Sequence, residues 1–139
     1  MPNQSKPELE LTFEAAGNVT RRRAVTFSGA QVTIAGAKVL GVSPDDVTNG
    51  DHGVVVASGT TIVEAGGAFA VGASLIADAN GRAVASSGAL SLKAGATAVT
   101  STAANGAVLS GGEMPEHVFA DALAVSSGAG ALVEVLLRR

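Results

Sequence analysis

Asn49-Gly50-Asp51-His52-Gly53-Val54-Val55-Val56-Ala57-Ser58-Gly59-Thr60-Thr61-Ile62-Val63-Glu64 carries the pattern that decides the fold. Asn49-Gly50-Asp51 is a turn signal, because Asn and Gly reach the positive φ that tight turns need. Val54-Val55-Val56 is a short β-branched run and reads as a buried strand. Ser58-Gly59 reads as a second turn. Thr60 to Glu64 then resumes as a further strand.

The same alternation of short apolar runs and glycine turns continues outward. Lys38 to Val42 reads as a strand, ended by Ser43-Pro44-Asp45-Asp46. Arg23 to Ser28 and Ala30 to Ile34 read as two short strands around Gly29. Leu75 to Ala77, Asp78-Ala79-Asn80-Gly81 and Arg82-Ala83-Val84 form a hairpin pattern with Asn-Gly at its tip. Ala131 to Leu137 reads as a terminal strand that pairs in the sheet. Glu8 to Phe13 alternates, so Leu9, Leu11 and Phe13 share one face and Glu8, Glu10 and Thr12 the other. That is a half-buried strand at a sheet edge.

Short strands about ten residues apart predict an all-β fold, a small β-barrel or β-sandwich with an extended N-terminal arm. Residues 1–23 are expected to form the arm and edge strand, and residues 24–139 the β-rich domain. Met1 to Lys6 is too polar to bury. No segment sustains a 3.6-residue apolar stripe. Ala85 to Gly112, rich in Ser, Ala, Gly and Thr, is the least legible part, with weak alternation at Leu90-Ser91-Leu92 and Ala98-Val99. Pro115 to Ala122 is compatible with one helical turn.

Composition narrows the function. The 139 residues fit one domain. Aromatics are only 3 %, with no Trp or Tyr, so the core must be built from Val, Ala, Leu and Ile. Phe27, Phe69 and Phe119 are core positions or subunit-contact anchors. The net charge is −3, and beyond Arg23 only Lys38, Arg82 and Lys93 face an excess of acids before the C-terminal arginines. Such a body repels nucleic acid. With no cysteine, disulfides and thiolate metal sites are excluded. No apolar run reaches membrane-spanning length and no signal peptide is visible.

Candidate chemistry is sparse. Asp51-His52 is more simply a solvated turn than a catalytic or metal pair. His117 near Glu113, Glu116 and Asp121 lacks a fixed ligand spacing. No serine sits in a nucleophile elbow. Gly66-Gly67 and Gly111-Gly112 are turns rather than phosphate loops. No enzyme and no cofactor are expected. Arg21-Arg22-Arg23 is the one sharp charge feature, and it suits a salt-dependent contact with an acidic surface.

One layout recurs. Val39-Leu40-Gly41-Val42, a loop, and Asn49 to Gly59 form one strand, small-residue loop and apolar strand. Ala122-Leu123-Ala124-Val125, Ser126 to Gly130 and Ala131 to Leu137 form another. Between them stands Gly72 to Val84. This succession, over roughly residues 38 to 137, resembles the capsid cement (decoration) proteins of tailed bacteriophages. His52-Gly53 after Asp51, and the Ser/Ala/Thr stretch at 85–112, depart from that pattern.

The resemblance implies a structural protein on the outer surface of the virion capsid, made in the bacterial host's cytoplasm. Its expected partners are the phage major capsid protein and further copies of itself, as a homotrimer, with neither nucleic acid nor membrane. Leu9, Leu11, Phe13, Arg21, Arg22 and Arg23 are the candidate capsid-contact residues; the alternatives are that the first three are simple core residues and the arginines a solvated loop. The rival from another class is a phage tail or head-fibre module that adheres to a host surface. A sugar-binding module would usually expose Trp or Tyr, and this chain has neither.

Overall fold

The computed structural model describes residues 4–87, 101–102, 106–107 and 116–138. The alternations at 90–92 and 98–99, the Gly111-Gly112 pair and Glu113 lie outside them. The chain begins with β1 (Lys6–Glu14), β2 (Arg23–Val25) and β3 (Gly41–Ser43). The long β4 (His52–Glu64) follows, then β5 (Ala68–Phe69), β6 (Ser74–Ala77) and β7 (Ala83–Ala85). The remaining strands are β8 (Ser101–Thr102), β9 (Gly106–Ala107), β10 (Ala120–Ala122), β11 (Ser126–Ser127) and β12 (Leu132–Leu137). No helix occurs among the described residues.

The main sheet runs β2-β3-β4-β12-β10-β6-β7, with β1 added to β4. Its ends approach each other. Ala65 bridges Ala83 in parallel. Gly66 N–H donates to Ala83 O, and Ala24 N–H donates to Gly81 O, both at 2.7 Å. The sheet is therefore a nearly closed small barrel, which leaves few unpaired strand edges. The β6–β7 hairpin turns at Asp78 to Gly81 as its sequence predicts. Asp78 Oδ1 accepts from the N–H groups of Asn80 and Arg82.

The strand expected over Lys38 to Val42 runs instead over Gly41–Ser43, and the one expected over Arg23 to Ser28 ends at Val25. Three further local expectations are corrected. Ser58-Gly59 is not a turn, since β4 runs through it without a break. Gly59 takes φ +95°, and a Cβ there would stand 2.4 Å from Lys6 O. The register against β1 shifts beside it, between Pro7 and Glu10. It is an in-strand irregularity that lets β1 approach closely. Ala30 to Ile34 forms no strand, only a single bridge from Gln31 to Val25. Residues 116–119 have no helical turn, and Ala120–Ala122 is extended because both flanks of β10 are paired, to β12 and β6.

β4 separates two apolar cores. Val56 and Val63 face the barrel interior with Val42, Leu75, Val133 and Val135. Val55 belongs to a smaller cluster with Phe13, Ala15, Val19, Val25 and Val47. That second core is roofed by two loops joined through Val19 and Val47, whose N–H and C=O groups bond reciprocally at 2.8 and 2.9 Å.

One defect sits in the barrel interior. Thr61, opposite Val135, is fully buried, and its Oγ1 has no partner. A buried hydroxyl without a hydrogen bond is costly. Thr61→Val has nearly the same shape and removes that cost. It should stabilise the protein by about 1 kcal/mol, raising the thermal midpoint by a few degrees. A lower midpoint would mean that the hydroxyl is satisfied by water.

Candidate functional site

The alternation in β1 sets its faces. β1 pairs antiparallel with β4 from Lys6↔Thr60 to Glu14↔His52. Leu11 lies opposite Val55 and Phe13 opposite Gly53. Phe13 is 7 % exposed, because the Val19–Val47 roof covers it. Leu11 and Leu9 lie beyond the roof, at 38 % and 47 % exposure. An apolar stripe thus emerges from the second core onto the surface. Its opposite face carries Glu8, Glu10 and Thr12, all exposed.

The three arginines meet three different environments. Arg21 has an exposed side chain, and its backbone N–H donates to Asp46 Oδ1 at 2.7 Å. Arg22 is half-buried, with its backbone at φ 64°. Arg23 is held within the molecule: its Nε pairs with Glu64 Oε2 at 3.0 Å and Nη1 donates to Asn80 O at 2.8 Å. The six candidates therefore divide. Leu9, Leu11 and Arg21 present their side chains, Arg22 does so in part, and Phe13 and Arg23 are engaged internally.

Further surface groups lie outside the six candidates. Leu132 and Leu136 are exposed on the outer face of β12, flanking the buried Glu134, whose Oε2 accepts from Gln4 N–H at 3.4 Å. The alternation of Leu132, Glu134 and Leu136 with Val133, Val135 and Leu137 carried that signal. Phe27 is exposed, with Lys38 Nζ 5.3 Å from its ring centroid, whereas Phe69 and Phe119 are core. Arg138 forms a bidentate pair with Asp121 at 2.8 and 2.7 Å. The hydrogen bonds it donates to Asp121, and then the charge of that carboxylate, hold this guanidinium above its ordinary range. A raised cationic pKa contributes below its unfolded value, so Arg138 keeps its charge through neutral pH and loses it only in strong alkali.

Among the described residues, titratable groups do not converge. Asp51, His52 and His117 are all exposed. No three His, Cys, Asp or Glu side chains among the described residues gather as a metal site. No helix among them is long and apolar enough to cross a membrane. The described surface offers apolar and guanidinium groups suited to contact with a macromolecule, which is the equipment of a binding module.

The comparisons specify that module. Residues 3–112 match the family model described as phage cement protein. The chain belongs to that family and is a head-associated structural protein of a bacteriophage. The matched span begins at the arm and stops before β12, so the N-terminal strand belongs to the family pattern. Among solved structures, the chain is similar to the head fiber gp8.5 N base of bacteriophage phi29, at 20 % identity and a TM-score of 0.61. The likeness covers 94 % of this chain and 93 % of that one, and it shows a shared fold. The comparison with curated proteins returns no match.

Proposed function

We propose that this protein binds the outer surface of an assembled phage head and cements contacts between neighbouring major capsid subunits. The exposed Leu9–Leu11 stripe on β1 carries this reading, in a chain of the cement family. The role is passive. Burying the stripe against a shell subunit favours the assembled lattice over its separated parts. Homotrimers would multiply modest single contacts. In this reading the chain acts by contact area rather than chemistry.

Co-sedimentation of the full-length protein with undecorated, expanded heads tests the reading. Saturable binding that weakens as salt rises is expected, with a solution mass three times 13.5 kDa. Absence of binding at every salt concentration sinks it.

The likeness to a head fiber base favours a second reading, in which the barrel seats a fibre on the head. That function predicts binding to heads together with binding to host cells by the intact virion component. A cement protein binds heads alone.

A further inference from the structure

Arg22 is the one residue other than glycine, among the described residues, with a left-handed backbone. L side chains are strained at φ 64°, where glycine or asparagine sits at lower cost. The conformation is fixed from two sides. Arg22 N–H donates to Ser43 O at 2.8 Å, and Glu64 N–H donates to Arg22 O at 3.0 Å. Both are backbone bonds that a glycine would make equally well. The local fold therefore gives no reason for a side chain here.

The guanidinium supplies no internal reason either. Its Nε is buried without a partner, and no carboxylate among the described residues pairs with it. Arg23, one residue on, shows what a satisfied arginine looks like in this fold, bound to Glu64 and Asn80 O. Two costs thus fall on one position, a strained backbone and an unsatisfied donor. Such costs persist where function needs them.

We propose that Arg22, with the exposed Arg21 beside it, receives a carboxylate from a protein partner. The buried Nε lies out of a partner's reach, but Nη1 and Nη2 of the half-buried side chain do not, and through these two nitrogens a guanidinium matches an oxyanion in a planar, two-point fork. Nucleic-acid phosphate is disfavoured by the acidic body of the chain. Two sources of the carboxylate fit. One is an acidic side chain of the head subunit, which rests on the function proposed above. The other is a second copy of this chain, whose Glu8 and Glu10 are exposed and free of ion pairs among the described residues.

The test compares full-length wild type with Arg22→Gly and Arg22→Lys by thermal melting, co-sedimentation with undecorated heads and sedimentation equilibrium. Arg22→Gly should melt at the same temperature or higher, yet lose about tenfold or more in binding. Arg22→Lys keeps the charge without the fork and should fall between. A loss confined to head binding identifies the shell subunit. A loss in self-association identifies the second copy, and Glu8→Gln with Glu10→Gln should reproduce it.

Unchanged binding in both assays by Arg22→Gly overturns the proposal, and so does a lower melting temperature. A wild type that ignores heads but self-associates sinks the head-binding function while the second assay still decides Arg22. A monomeric wild type that ignores heads overturns both.

Discussion

Gly41→Ala should destabilise the protein by about 3 kcal/mol or more, one of the largest losses available to a single added methyl. The cause is space rather than φ. A Cβ at Gly41 would stand 2.1 Å from Val56 O and 2.8 Å from Val55 Cγ2. Backbone cannot rotate aside as a side chain can. The β4 segment it would strike is also held from β1, where Glu10 pairs with Val56 and Leu11 with Val55. Relief therefore requires β3 to leave β4 at their Val42–Val56 pairing, which opens the barrel. Gly53→Ala is the control. There the nearest atoms are Val47 Cγ2 at 2.4 Å and the Phe13 ring at 3.2 Å, both on side chains that can move. It should cost about 1–2 kcal/mol. Urea denaturation of the two variants distinguishes them, and equal losses would refute the argument.

Much of this architecture is written locally. The Glu-Leu alternation of β1, the Asn80-Gly81 hairpin tip and the apolar run of β12 each point to the element that forms. The misread places share one physical origin, which is contact over long sequence separation. Gly59 looks like a turn residue beside Ser58, but its positive φ serves a close approach by Lys6 and Glu8. Residues 30–34 are apolar enough for a strand, yet only Gln31 meets a bridging partner. The site divides in the same way. Sequence puts Leu9, Leu11 and Phe13 on one face. Only the Val19–Val47 roof decides that Phe13 is covered while the leucines emerge. Three consecutive arginines look equivalent as letters, and the positions of Glu64, Asn80 and Ser43 make them different.

Phe13→Ala should cost about 3–4 kcal/mol, because it empties the largest side chain from a small cluster otherwise made of Val and Ala. Leu9→Thr combined with Leu11→Thr should change stability by less than about 1 kcal/mol. Both leucines are substantially exposed, and threonine keeps the β preference of the strand. The same double variant should lose most of its binding to undecorated heads, since the stripe is the apolar area offered for contact. This pair of variants separates folding from function along one strand face. Deleting residues 1–23 would not, because it strips Phe13, Ala15 and Val19 from the second core and exposes Val25, Val47 and Val55 at once. If the double variant unfolds with Phe13→Ala, the stripe is core along its whole length. If it folds and binds heads like wild type, the contact surface lies elsewhere, and the exposed Leu132 and Leu136 on β12 become the next residues to replace.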